Sequence, residues 1–333
     1  MKNLVDALDN FKDKNILVYG DLILDKFSWG EIKKLNPEQH AAPNVNVEEN
    51  EETYALGGAA NVANNIVSLG GKCELYGVLG KDYSGEKIKE LCKEKGIILK
   101  PVYNGNKTLL KQRIMAHGQQ VTRLNYGEKN RKKIDLRYQK NIEENLEKCD
   151  FIIFSDYNKG FFNDKLSQQI IKSANTKKIP ILVDSKPQNL HYFKDCTIIR
   201  PNKKEAFQMT GIKYENKKDV LEEMGRKLCE RVNSKYAIIT LGKDGVFKYE
   251  KEKSVMIETK ARQVRDVTGA GDTFAATLAL SLASGLSMSE AIKIANYASG
   301  VVVEKQGTAT TTTDEIKKKI KEDSTDASQL IGH

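Results

Sequence analysis

The stretch DVTGAGDTF, residues 266–274, runs directly into the apolar, alanine-rich segment 275–282. A turn with two glycines that opens onto a helix presents unpaired backbone N–H groups at the helix N-terminus, where the helix dipole also favours an anion. Asp272 falls in the first turn, beside any anion held there. A carboxylate next to an anion hole suits phosphoryl transfer to a hydroxyl group, because the carboxylate takes the proton while the N–H groups stabilise the phosphate. The pattern leaves open that Asp272 only caps the helix.

The composition indicates a soluble globular protein of one large domain or two ordinary ones. Of the 333 residues, 39% are hydrophobic and 30% are charged. No run approaches the roughly 18 apolar residues of a membrane span, and the polar N-terminal segment is unlike a signal peptide. The five cysteines are scattered without a CxxC pair, which favours reduced thiols and a cytoplasmic location.

The net charge of +9 raises the question of a nucleic-acid partner. The lysines are interleaved with glutamates, as in GEKIKE at residues 85–90, and no module that combines aromatic and basic residues is present. We therefore expect no nucleic-acid partner. A modest excess of positive charge suits an enzyme whose substrates are phosphorylated.

Short apolar runs alternate with helix-like segments along most of the chain. FIIFS at residues 151–155 is typical of a buried strand, and similar runs occupy residues 181–184, 197–200 and 237–240. Buried strands separated by helices indicate a mostly parallel sheet with helices on both faces, which is a three-layer α/β/α architecture. Residues 29–56 and 108–126 interrupt this alternation and read as half-exposed strands.

Four motifs together carry a family resemblance. GGAANVA at residues 57–63 matches a GG-x-x-N-x-A pattern, NKKE at 202–205 matches N-x-x-E, and TLGKDG at 240–245 matches T-x-G-x-x-G. With DVTGAGDTF, they resemble the signatures of the ribokinase-like (PfkB) carbohydrate kinases in order and separation. Within that family, RIMAHGQQVTRL at 113–124 and SDYNKG at 155–160 are most similar to the D-glycero-β-D-manno-heptose 7-phosphate kinases, in their stand-alone form.

The resemblance implies a ribokinase-like domain over residues 1–322, with a small β-sheet lid inserted at about 28–56 and 106–128. A lid with one apolar face needs a cover, and in the family a second subunit's lid often supplies it, so a homodimer is expected. The polar segment 323–333 is expected to be a disordered tail.

The resemblance also assigns the acceptor side of the site. Asp272 is the expected base, with the N–H groups of Gly269, Ala270 and Gly271 around the transferring phosphoryl. The expected sugar-phosphate contacts are Asp21, Asp25, Gly57, Gly58, Asn61, Arg113 and Lys159. Simpler interpretations remain open: Asp25 could pair with a nearby lysine on the surface, and Gly57 to Asn61 could be a helix cap with a packing glycine.

The cofactors implied by the family are ATP and Mg²⁺, with K⁺ as a further candidate. The expected ATP-binding residues are Lys186, Asn202, Glu205, Thr240, Gly242, Gly245 and Asn296. Glu205 is expected to reach Mg²⁺ through water, and Asp266 and Thr268 to offer oxygens to a monovalent cation. A helix N-terminus with no role in ligand binding could have the same pattern as Asn202 and Glu205.

The implied reaction is phosphorylation of O1 of D-glycero-D-manno-heptose 7-phosphate to the 1,7-bisphosphate, for nucleotide-heptose and surface polysaccharide synthesis. Another sugar or sugar-phosphate kinase of this fold, acting on a fructose phosphate, ribose or a nucleoside, is the alternative. A non-catalytic binding protein is a second one. Residues 36–43 depart from the S-P-E-A-P pattern of heptose kinases, which leaves the identity of the sugar open.

Overall fold

A nine-stranded sheet forms the centre of the computed structural model, which describes residues 2–36, 44–134, 146–251, 253–259, 264–305 and 307–331. In chain order the strands are β1 (Asn15–Gly20), β2 (Leu22–Asn36), β3 (Asn44–Gly58), β4 (Lys72–Val78), β5 (Ile98–Val102), β6 (Leu109–Ala116), β7 (Gln119–Tyr126), β8 (Phe151–Ser155), β9 (Ile181–Asp184), β10 (Ile198–Ile199), β11 (Tyr236–Thr240), β12 (Val246–Glu250) and β13 (Val255–Ile257). The large sheet has the order β13-β12-β11-β10-β9-β8-β1-β4-β5. Its pairs are parallel except β11–β12 and β12–β13.

Helices cover both faces of this sheet. They are α1 (Lys2–Leu8), α2 (Ala59–Ser68), α3 (Tyr83–Glu94), α4 (Asp164–Thr176), α5 (Lys203–Thr210), α6 (Lys218–Val232), α7 (Ala270–Ala283), α8 (Met288–Val302) and α9 (Thr313–Ile331). Successive side chains of a strand point to opposite faces. In β8, Phe151 and Ile153 therefore join the core under α2, α7 and α8, while Ile152 and Phe154 join the core under α4, α5 and α6. The predicted three-layer α/β fold is confirmed.

A four-stranded sheet of order β3-β2-β6-β7 stands beside the large one. The pairs β2–β3 and β6–β7 are antiparallel, and β2–β6 is parallel. These strands come from the two stretches that were predicted to form the lid. Residues 37–43 of the segment that departs from the heptose kinase pattern lie outside the described residues.

The strand order changes direction between β1 and β8. From β1 the chain goes to β4 and β5 on one side, and it then returns to β8 on the other side. In open α/β sheets, ligands bind outside the carboxyl ends of the strands at such a switch point. Asp21 follows β1, Asp156 follows β8 and Arg200 follows β10, so these residues lie at the edge where a ligand is expected.

The last helix continues through most of the segment that was predicted to be disordered. It is anchored by Ile316 and Ile320, which are fully buried in the core. The helix then extends to Ile331, because polarity alone does not break a helix that has no proline or glycine. Within the described ranges, no helix is both long and apolar enough to span a membrane.

Candidate active site

The N-terminal turn of α7 forms the centre of the candidate site. Gly269 precedes the helix at φ 82°, a left-handed conformation that favours glycine, and no side chain caps the helix. The first N–H groups of α7 therefore have no side-chain acceptor, although the Ala270 N–H donates to the Val267 carbonyl at 3.3 Å. Residues 272–281 of this helix are buried, which keeps its N-terminal turn fixed against the core.

Asp272 is 7% exposed and lies in this turn. Its Oδ2 accepts a hydrogen bond from Asn61 Nδ2 at 2.7 Å, and its Oδ1 accepts one from the Tyr157 hydroxyl at 2.9 Å. Burial raises the pKa of Asp272 to about 6, although the hydrogen bonds from Asn61 and Tyr157 act to lower it. Asp272 is not a helix cap: its carboxylate is held by side chains from α2 and from the loop after β8.

The loop that carries Tyr157 is fixed by Asp21. The Asp21 carboxylate accepts backbone N–H bonds from Tyr157 at 3.0 Å, Lys159 at 2.9 Å and Phe161 at 3.1 Å. Asp21 is 2% exposed, and the three hydrogen bonds that its carboxylate accepts hold this loop in place. Its expected contact with a sugar remains a prediction, as does that of Lys159, whose Nζ pairs with Glu128 at 2.9 Å.

A cluster of buried and half-buried charged side chains lies next to this loop. Arg200, at the end of β10, donates from Nη2 to Asp184 at the end of β9. Lys186 donates to Glu205 Oε1 at 2.5 Å, and its Nζ also lies 5.5 Å from the centroid of the Tyr157 ring. The Tyr157 ring therefore adjoins the cluster that would face ATP.

The small sheet brings a second group of charged side chains near Tyr157. Asp25, on β2, accepts a hydrogen bond from Arg113 of β6; its partner is therefore Arg113, while Lys26 pairs with Glu52. Gly57, at the end of β3, lies beside the Asp25 carboxylate, and Gly58 leads into α2. Lys111, which the motifs did not mark, has its Nζ 5.3 Å from the centroid of the Tyr157 ring.

The expected nucleotide residues lie along the edges of β10, β11 and α5. Asn202 caps α5 in a reciprocal capping box with Glu205, so the pattern does build a helix start. Thr240 pairs with Asn202 across an isolated bridge, and Gly242 and Gly245 shape the turn that follows it. Asn296, on α8, lies farther along and donates to the Glu258 carbonyl. Contacts of all these residues with ATP remain predictions.

The expected cation loop is folded around Asp266. Its Oδ1 accepts from the Thr268 N–H at 2.9 Å and its Oδ2 from the Gly307 N–H at 3.1 Å. Although burial acts to raise it, the pKa of Asp266 is lowered by these hydrogen bonds. Among the described residues, no group of three or more His, Cys, Asp or Glu side chains could hold a metal ion by itself.

Four residues of this site were not predicted from the sequence: Tyr157, Asp184, Arg200 and Lys111. A signal for the first three was present, because each follows or ends a short buried strand: FIIFS-DY, ILVD and TIIR. The carboxyl ends of parallel strands meet at one edge of a sheet. Lys111 had no such signal, since its place depends on how β6 pairs with β2.

The fold defines a ribokinase-like α/β protein, with an uncapped helix N-terminus and the buried carboxylate of Asp272 at this edge of its large sheet. The fold resembles phosphofructokinase-2 from Escherichia coli in complex with substrates and products, at a TM-score of 0.73, 18% identity and coverage of 92% of this chain and 97% of that one. It also resembles Arabidopsis thaliana ribokinase complexed with ribose and ATP, at a TM-score of 0.71, 19% identity and coverage of 92% and 99%. Residues 16–315 match the family model described as pfkB family carbohydrate kinase. The chain belongs to this family of carbohydrate kinases.

Two similar relatives carry the name bifunctional protein HldE. The one from Campylobacter concisus is 40% identical over 309 residues, which are 92% of this chain and 64% of the relative. The one from Aliarcobacter butzleri is 38% identical over 313 residues, again 92% and 64%. The chain thus spans about two thirds of the length of these relatives.

Proposed function

We propose that the chain transfers the γ-phosphoryl group of ATP to O1 of D-glycero-D-manno-heptose 7-phosphate, giving ADP and the 1,7-bisphosphate. The observation that carries the kinase chemistry is the buried Asp272 at the uncapped N-terminus of α7. Its pKa of about 6 leaves it ionised at neutral pH and still basic enough to accept a proton. The choice of heptose rests on the resemblance of residues 113–124 and 155–160 and on the relatives named HldE.

The proposed step forms one bond and breaks another. The O1 oxygen attacks the γ-phosphorus, its proton passes to Asp272, and the bond from the γ-phosphorus to the bridging oxygen of ADP breaks. The N–H groups of Gly269, Ala270 and Gly271 would stabilise the transferring phosphoryl group. Asn61 and Tyr157 each donate to one oxygen of Asp272, so they fix its orientation toward O1.

Mg²⁺ would neutralise charge on the ATP phosphates. The donor set fits an ion held largely by phosphates and water, because Mg²⁺ needs only one or two protein carboxylates. Glu205 already accepts from Lys186 and from the Asn202 N–H, which suits contact through water. Asp266 and Thr268, in the cation loop, are the residues we propose for K⁺.

The end of the sugar away from O1 would meet a cationic surface of the lid. Burial lowers the pKa of Lys111, which lies on the lid strand β6. The pKa is lowered further by the positive charges of Arg113, Arg123 and Lys159, whereas the negative charge of Asp25 acts to raise it. A phosphate monoester would relieve that repulsion. This supports a phosphorylated sugar as the substrate over a neutral one.

ATP turnover against a panel of sugars tests the substrate. We expect kcat/KM for the heptose 7-phosphate to exceed that for fructose 6-phosphate and for the unphosphorylated heptose by about 100-fold, since one charged hydrogen bond contributes about 1.5–3 kcal/mol. In the same assay Arg113→Ala should raise KM for the sugar phosphate. Arg226→Ala, which removes an exposed α6 pair with Glu230, should change nothing. Equal turnover of the unphosphorylated heptose would contradict the assignment of heptose 7-phosphate as the substrate. If no sugar in the panel is phosphorylated, the proposed kinase activity is wrong.

A further inference from the structure

Arg200 is a buried cation whose role the kinase motifs leave unassigned. It follows β10 and is 4% exposed. Its Nη2 donates to Asp184, and its carbon Cζ lies 5.8 Å from the centroid of the Phe274 ring. The buried Nε has no hydrogen-bond partner in the part of the chain that the structure describes. The pair with Asp184 therefore leaves donors of the guanidinium unused.

The guanidinium lies against the N-terminal turn of α7. A methyl group added to Gly271 would stand 3.4 Å from Nη2 and 3.5 Å from Nη1 of Arg200. Both terminal nitrogens thus adjoin the turn that carries Asp272, at the distance of an ordinary van der Waals contact from a Cβ at Gly271. The positive charge adds to the field of the helix N-terminus at the same point.

The buried ion pair with Asp184 does not by itself explain an arginine at this position. Removing two charges from water is costly, and apolar residues of similar volume often serve stability as well or better. Arginine differs from other cations in offering a planar fork that matches phosphate. Its place beside Gly271 brings that fork to where the moving phosphoryl group would sit.

We propose that Arg200 is a further catalytic residue, which donates to the phosphoryl group in transfer while Asp184 holds its guanidinium in place. The inference rests on the proposed kinase function. During transfer, negative charge is spread over three oxygens of the phosphoryl group, so a fixed cation stabilises that state more than the bound substrates. Arg200 would complement the N–H groups of α7, which approach from the helix axis.

Steady-state kinetics of Arg200→Met and Arg200→Lys test the proposal, with Arg226→Met as the exposed control. We expect Arg200→Met to lower kcat by about 10²–10³, the effect of losing one oxyanion donor, with KM for ATP and sugar changed little. Arg200→Lys keeps the positive charge but lacks the planar guanidinium group, so its kcat should lie between those of the wild type and Arg200→Met. Wild-type kcat in Arg200→Met, or a rise in KM alone, would overturn the proposal.

Titration with Mg·ADP and aluminium fluoride, a mimic of the transferring phosphoryl group, gives a readout without sugar turnover. Arg200→Met should bind Mg·ADP as the wild type does and lose the tightening that aluminium fluoride adds. Equal tightening in both proteins would overturn the role of Arg200 even if no sugar were turned over, whereas absence of turnover in the wild type would count against the kinase function alone. If Arg200→Met does not fold, Arg200→Met with Asp184→Asn removes the uncompensated charge and takes its place.

Discussion

At the scale of single residues, the site depends on how Asp272 is surrounded. A carboxylate in water would be too weak a base at neutral pH, and one buried without donors would be protonated. Two neutral donors, Asn61 and Tyr157, keep Asp272 between these limits. The charged groups that act on it are Asp184, which raises its pKa, and Arg200, which lowers it.

The pH profile of kcat/KM should therefore have an acid limb near pH 6, the value that burial gives the pKa of Asp272. Above this pH the carboxylate is ionised and accepts the proton; below it the rate falls about tenfold per pH unit. Tyr157→Phe removes a hydrogen bond that lowers the pKa, so its limb should move to higher pH. Tyr19→Phe, which removes a buried hydroxyl without a partner among the described residues, is the control. A limb that Tyr157→Phe leaves in place would contradict this account of the base.

At the scale of elements, the order of strands and helices could be predicted because burial leaves a direct trace in sequence. Runs such as FIIFS are apolar on both faces only when helices cover both faces. The glycine turn before α7 was equally readable, since the positive φ of Gly269 needs that residue type. These signals are local, and they sufficed for the parallel strands β8 to β11 and for the place of Asp272 in the first turn of α7. The strands β12 and β13, which form the antiparallel edge of the large sheet, were not predicted.

Contacts between distant elements were not readable in the same way. The hydrogen bond from Tyr157 to Asp272 joins residues 115 positions apart, and the salt bridge from Arg113 to Asp25 depends on the parallel register of β6 on β2. The hydrophobic periodicity of a sequence does not indicate such contacts between distant elements. The capping box at Asn202 shows the opposite case, where one local motif serves a structural role and is also proposed to serve ATP.

At the scale of the whole molecule, the small sheet is one of the places where large apolar side chains are exposed. Every residue of the edge strand β7 is exposed, and among them are Val121, Leu124 and Tyr126. An exposed edge strand with apolar side chains favours pairing with another chain. Because this sheet borders the cationic surface near Asp25 and Lys111, a second copy placed here would also help to close the sugar site.

We accordingly expect a homodimer through the small sheet. Light scattering at micromolar concentration should give twice the mass of one chain, and Leu124→Lys should shift it to the monomer with little loss of melting temperature, because Leu124 is 43% exposed. Val255→Lys is a matched control, since Val255 is 42% exposed on β13, the edge strand of the large sheet. A fully active wild-type monomer, or equal effects of both variants, would exclude this interface.

The kcat of Asp272→Asn with ATP and the heptose 7-phosphate is the most direct test of general-base catalysis. The amide can still accept a hydrogen bond from Tyr157 but cannot take the proton from O1, so kcat should fall by about 10² or more with ATP affinity near normal.

The raised pKa means that Asp272 stabilises the fold below its unfolded pKa and loses that contribution as the pH rises through about 6. The melting temperature of the variant at pH 8 should therefore equal or exceed that of the wild type, with the Asn61 amide turned so that its oxygen accepts from the new NH2 group. Asp164→Asn, in the exposed first turn of α4, should keep full activity. If Asp272→Asn retains more than about a tenth of the wild-type kcat, Asp272 is not the general base.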